Sequence, residues 1–175
     1  MKPVLLIATL AGLGMTGCSN LLSLDPIATK AMAVKDANLV GAWTAQGDDA
    51  STVIIRQKEA GYEIHYVSGE SVSRFRALVF RVGDAEFLDV TPQGDVPFSI
   101  NGHAAVRVWT GAATLRWAYL DSEWLREQAG KTLESRKIGK QQLLVTAAGD
   151  AVLELVKKVG ANDKAHGDIV TWNKL

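Results

Sequence analysis

The sequence predicts an α+β fold: mainly antiparallel β-sheet curled into an open or closed barrel, with two short helices in the C-terminal third. Three observations predict it. Short runs in which apolar and polar residues alternate recur from Leu39 to Leu120, and alternation is strand periodicity. Turns rich in glycine and aspartate break these runs at fairly regular spacing, as they do in curled or closed antiparallel sheets. Beyond Leu120 the apolar spacing becomes helical in two places, each followed by a glycine, Gly130 and Gly160.

Taken in order, the first strand is expected over Leu39 to Ala45, ended by Gly47-Asp48-Asp49. Thr52 to Lys58 follows, with Val53, Ile54 and Ile55 at its centre. After the turn at Ala60-Gly61, Tyr62, Ile64 and Tyr66 alternate with Glu63, His65 and Val67. Arg74 to Val82 comes next. Its apolar residues change parity between Ala77 and Leu78, so either a bulge or a strand buried on both faces is expected. Glu86 to Val90 is short, and Thr91 to Gly102, with two prolines and two glycines, reads as a loop. His103 to Trp109 and Thr114 to Leu120 form a hairpin around Thr110-Gly111. Asp121 is placed to cap a helix through Trp124, Leu125 and Gln128. Gln141 to Val145 is one more strand, and Thr146 is placed to cap a second helix whose Val152, Leu155, Val156 and Val159 share a face. Ile169 to Trp172 is expected to close the sheet.

The 175 residues allow one domain with a single substantial core. Lys plus Arg and Asp plus Glu are equal, 19 each. A neutral chain has no electrostatic footprint for nucleic acid and no polybasic surface for anionic lipid. The single cysteine, Cys18, rules out a disulfide within the chain.

The first residues explain that cysteine. A short positive start, Met1-Lys2-Pro3, precedes the apolar run Val4 to Gly14. That is the order of a secretory signal, and the run is shorter than the roughly 20 apolar residues of a membrane span. It ends Met15-Thr16-Gly17-Cys18, which resembles the lipobox of bacterial lipoproteins. The resemblance implies cleavage between Gly17 and Cys18, a diacylglyceryl group on the Cys18 thiol and a further acyl chain on the new amino terminus. Two or three chains hold a protein stably where one would be marginal. Ser19 stands where an Asp would retain such a lipoprotein in the inner membrane, so the resemblance favours the periplasmic face of the outer membrane. The expected organisation is a signal peptide over 1–17, a lipidated tether over 18–38 and a single β-rich domain over 39–175. Leu21, Leu22, Leu24 and Ile27 give parts of that tether something to pack with.

Catalytic patterns are sparse. A Gly-x-Ser-x-Gly elbow is absent, and acylation would occupy the only thiol. His65, His103 and His166 are far apart in sequence, without the clustering that a metal site needs. His103, straight after the loop at Gly102, is the histidine best placed to face a pocket. Glu86 with Asp89, or Asp121 with Glu123, could pair as acid and base, but Asp89 between Leu88 and Val90 suits a brace and Asp121 a helix cap. No catalytic residue, metal or cofactor is assigned. The five tryptophans could fill a core or line a cavity. The candidates to line one are Trp43, Tyr62, Tyr66, Phe75, Trp109 and Trp117.

Gly41-Ala42-Trp43 on the first strand resembles the Gly-x-Trp signature of the lipocalins. The resemblance implies an eight-stranded barrel whose Trp closes one end around a cavity for an apolar ligand. Lipocalins usually stack an Arg from near the last strand on that Trp. Nothing after Arg136 is an Arg here, and Lys174 would be a weaker partner. The chain also resembles small envelope lipoproteins that pair a β-rich domain with two helices, a likeness that carries no activity with it. Three functions are expected in turn: a non-catalytic binding protein holding an apolar or amphipathic molecule, a docking subunit of an envelope assembly, and a hydrolase around His103 and Asp89. The partners implied are a membrane, through Cys18, and an apolar small molecule or an envelope protein. A large apolar cavity would favour the first, a filled core the second, and polar groups with perturbed pKa in a cleft the third.

Overall fold

A computed structural model describes residues 20–45, 51–94, 102–121, 124, 133–138, 142–160 and 162–175. Its centre is a closed antiparallel barrel of eight strands. The barrel strands are β2 (Gly41–Ala45), β3 (Ser51–Lys58), β4 (Gly61–Ser68), β5 (Ser71–Val82), β6 (Ala85–Gln93), β7 (Ala104–Thr110), β8 (Thr114–Tyr119) and β11 (Val170–Lys174). Consecutive strands pair from β2 to β8, and β11 closes the cylinder by pairing with both β8 and β2. Trp172 sits opposite Leu115 on one side and Ala45 on the other. Closure leaves no free strand edge in the barrel.

Alternation along each strand separates two cores. Val53, Ile55, Ile64, Val79, Leu88, Val106, Val108 and Leu115 point inward and fill the barrel. The residues between them face outward, to solvent on most walls but not on all. Over β5, β6 and β7 the outer face carries Phe80, Phe87 and Ala105, which pack under an outer layer. That layer holds a three-stranded sheet in the order β1 (Asn20–Ser23), β10 (Gln142–Val145), β9 (Ser135–Ile138), with β1 and β10 parallel. It also holds the helix α1 (Gly149–Val159).

This double burial explains the change of parity in β5. Its pairing with β6 runs unbroken from Arg74 opposite Gln93 to Val82 opposite Ala85, so there is no bulge. Val79 is buried inside the barrel and Phe80 beneath the outer layer, each fully.

Among the described residues there is one helix of more than a single turn, α1, rather than the two expected. Most of the segment expected as the first helix, 121–130, lies outside the described residues. Trp124 is helical and donates its backbone N–H to Asp121 Oδ1 at 2.8 Å, the bond a helix cap makes. Helix α1 buries Val152, Leu155 and Val156, and its Asp150 and Lys157-Lys158 suit the helix dipole. Its cap is Ala148, not Thr146. Thr146 instead donates its N–H to the Glu134 carbonyl at 2.9 Å, extending the β9–β10 pairing. The helix starts with Gly149 because a Cβ there would collide with the Pro26 carbonyl.

The segment before the barrel belongs to the folded unit. Leu21, Ile27 and Ala28 are 3%, 2% and 2% exposed. Ser23 exchanges both backbone bonds with His103, at 2.8 and 2.7 Å. Val34 donates to the Val79 carbonyl at 2.9 Å, and a 3-10 turn over Ala37–Leu39 drives Leu39 into the barrel core.

Candidate functional site

The strand directions give the barrel two ends, and they differ. The turns β3–β4, β5–β6 and β7–β8 lie at one end, together with the start of β2 and the end of β11. This end is plugged. Leu39 and Trp43 are both fully buried, and the Trp43 indole donates Nε1–H to the Leu39 carbonyl at 3.0 Å. The Lys174 ammonium lies 5.2 Å from the centre of the Trp43 ring, a cation–π contact. Tyr62 locks the plugging segment: its hydroxyl donates to the Asp36 carbonyl at 3.1 Å and accepts from the Asp36 N–H at 2.8 Å. Burial raises the Tyr62 pKa above the usual phenol value, although the bond to Asp36 works against that.

The other half of the barrel holds a small apolar cavity. Ile64, Tyr66, Phe75 and Leu88 line one side, and Val90, Val106, Trp117 and Tyr119 the other. Its volume is about 30 Å³, room for a water or two. Sites for drug-sized ligands run to roughly 300–1,000 Å³. Large aromatic rings take up the space. Trp117 and Trp172 lie 4.9 Å apart between ring centres, and Tyr66 meets Trp172 edge-on at 6.1 Å. Trp172 is 2% exposed and its Nε1 has no hydrogen-bond partner among the described residues.

Of the six residues expected to line a cavity, Tyr66, Phe75 and Trp117 do so. Trp43 and Tyr62 are interior but belong to the plugged end. Trp109 lies on the outside, where Arg107 and Arg116 set their guanidinium carbons 4.7 and 5.4 Å from its ring centre. Ile64, Leu88, Val90, Val106 and Tyr119 complete the lining. All five lie on strands read from the sequence, and parity gave the signal that could have found them. Cys18 and Gly17 lie outside the described residues.

A second hollow, about 280 Å³, lies outside the plugged end beside Lys30, Lys35, Lys58 and Tyr62. Lys58 already faces Glu63 at 3.4 Å, and its side chain is 59% exposed. The hollow lies on the outside of the barrel, and Val34 and Leu78 share its lining with the lysines.

Asp89 and His103, considered together as a possible hydrolytic pair, do meet. Asp89 Oδ1 lies 2.8 Å from His103 Nδ1. The other oxygen, Oδ2, accepts from the backbone N–H groups of Ile27 and Ala28 at 2.9 and 3.0 Å. Asp89 is 3% exposed, so the carboxylate is a buried acceptor held by three donors. The hydroxyl of Ser23, whose backbone pairs with His103, is fully buried and donates to the Asp25 carbonyl at 2.8 Å. The pair clamps the N-terminal segment to the barrel wall and presents no nucleophile among the described residues. His166 is also structural: Nε2 lies 3.1 Å from the Gly160 carbonyl, which also accepts from Arg107 at 2.8 Å. Among the described residues no three of His, Cys, Asp and Glu converge as metal ligands would.

Comparison of the chain with protein-family models, curated proteins and solved structures gives no match.

Proposed function

We propose that this is a lipid-anchored protein of the bacterial cell envelope, acylated on Cys18 and held at the periplasmic face of the outer membrane. Its role is non-catalytic and is exercised by its outer surface, as a docking or accessory subunit. One observation carries that role. The barrel is filled by its own side chains, and the space left, about 30 Å³, is near a tenth of the smallest usual ligand pocket. Support for the address is the order of Lys2, the apolar run and Met15-Thr16-Gly17-Cys18.

Two measurements test this. Labelled palmitate is expected to enter the wild-type protein and not a Cys18→Ala form. Native mass spectrometry of protein purified gently from its own envelope is expected to give the bare mature mass plus acyl groups. A further apolar molecule, reproducibly retained and lost on denaturation, would overturn the docking role.

That result would favour a second reading, a barrel that holds a small apolar group. Its support is the asymmetry of the barrel: plugged at the Trp43 end, with an aromatic-lined cavity in the other half. A lipocalin-like reading of Gly41-Ala42-Trp43 draws on the same end. Lys174 there occupies the place over Trp43 that an Arg usually takes in lipocalins.

A further inference from the structure

We propose that the folded domain rests directly on the bilayer, without a stand-off tether. The end of the outer sheet where β1 begins would lie against phospholipid headgroups, and the opposite barrel wall, β3, would face away. This rests on acylation of Cys18, and deepens that reading by naming the surface that meets the lipid.

Chain length limits how far the domain can stand from its anchor. Only Ser19 separates Cys18 from Asn20, the first residue of β1. Two peptide steps of about 3.8 Å place the Cys18 Cα within roughly 7.6 Å of the Asn20 Cα, whatever the conformation between them. A flexible tether of some 20 residues would instead range over about 25 Å. Nothing after Asn20 supplies that slack. The strand is in register with β10 from Asn20 opposite Gln142 to Ser23 opposite Val145. Leu21 is buried, Ser23 is bonded both ways to His103, and the next turn is gripped by buried Asp89.

The pairing also identifies the neighbours of the anchor. Asn20, Gln142 and Ile138 lie side by side at one end of the sheet. Strand β9 brings Arg136, which is exposed, to the same layer, and a cation near anionic headgroups is attracted to them. The layer covers β7, through Ser23 against His103 and Leu21 packed in one cluster with Ala105. In the closed strand order, β3 is four strands from β7 in either direction, so it forms the wall farthest from the anchor.

The test uses the full-length, acylated protein in vesicles of phosphatidylethanolamine and phosphatidylglycerol. Because Cys18 is the only native cysteine and its thiol would carry lipid, an introduced cysteine can be labelled alone. A fluorophore is placed at Arg136→Cys or at Arg56→Cys; both positions are exposed, and Arg56 lies on β3. Headgroup-linked nitroxide lipid is expected to quench the first label several-fold more than the second. Inserting about 20 Gly and Ser residues between Ser19 and Asn20 is expected to erase the difference. Acylated protein with equal quenching at both labels, or a contrast that survives the insertion, overturns direct seating while leaving the anchor intact. An intact mass without acyl groups, read before vesicles are added, overturns the anchor and this inference with it.

Discussion

Removing the Asp89 carboxylate should release the N-terminal segment from the barrel wall. Asp89→Ala takes the acceptor away from three donors at once: the N–H groups of Ile27 and Ala28 and the His103 ring. Both amides belong to residues only 2% exposed, so water does not readily replace the lost partner. An unsatisfied buried donor costs about 1–3 kcal/mol. Two such amides, partly relieved by relaxation of the chain, give a loss of about 3 kcal/mol. That is a large share of the roughly 5–15 kcal/mol that holds an ordinary domain together. Asp89→Asn should cost much less, about 1 kcal/mol, because its carbonyl can keep both amide bonds while its NH₂ group faces His103 in the other tautomer. The assay is urea unfolding of both variants, with hydrogen exchange read at the Ile27 and Ala28 amides. An Asp89→Ala loss below about 0.5 kcal/mol, with unchanged protection of those amides, would refute the clamp.

Three further outcomes are expected. Gly61 has φ near +124° and a Cβ there would meet the Ala77 carbonyl, so Gly61→Ala should lose about 2–4 kcal/mol in thermal unfolding; a neutral result would mean that the β3–β4 turn can shift off β5. Val106→Ile adds one methylene beside a cavity of about 30 Å³ and should be neutral or stabilising by up to about 0.8 kcal/mol, whereas a loss above about 1 kcal/mol would show that the space is not there to fill. His166 is held below the usual histidine pKa, first by burial and also by the nearby Arg107 cation, against the opposing bond to Gly160. The unfolded chain therefore takes up that proton first as pH falls. The contribution is complete above about pH 6.5 and is lost as pH falls through the depressed folded value. Urea midpoints measured from pH 7.5 down to 5 should fall less steeply in His166→Asn than in the wild type, and parallel curves would count against it.

The barrel could be read from the sequence because its strands alternate. Tyr62, Ile64 and Tyr66 on β4 point inward just as their spacing indicates, and the terminal run containing Trp172 closes the sheet as expected. The outer layer leaves less of a pattern in the sequence. β1 and β9 have four residues each, too few for a period to emerge, and Leu21-Leu22 among polar neighbours looks the same in a tether as in a packed strand. Parity also says which wall a side chain faces, not how far along the barrel it lies. Trp43 and Tyr62 are therefore interior yet sit in the plug, while Phe75 and Trp117 reach the cavity. Trp109 could have been placed outside from Val106 and Val108, since both neighbours of alternate parity point inward. Its two flanking arginines cover an outward indole that would otherwise look like a core residue.

The outer layer links fold to role. A closed barrel can stand alone, but here β5, β6 and β7 present Phe80, Phe87 and Ala105 outward, and those side chains need a cover. The cover comes partly from residues 20–28 and partly from β10 and α1, which are separated by more than a hundred residues of chain. Any force on the N-terminal residues is therefore delivered to a sheet bonded to the barrel wall through Ser23 and Asp89, and not to a loose leader. A protein acylated just before β1 would be oriented by its own fold. It would show the β2–β3–β4 side of the barrel to the periplasm on every copy. For a filled barrel with little space inside for a ligand, a fixed outward face is the feature that a docking role requires.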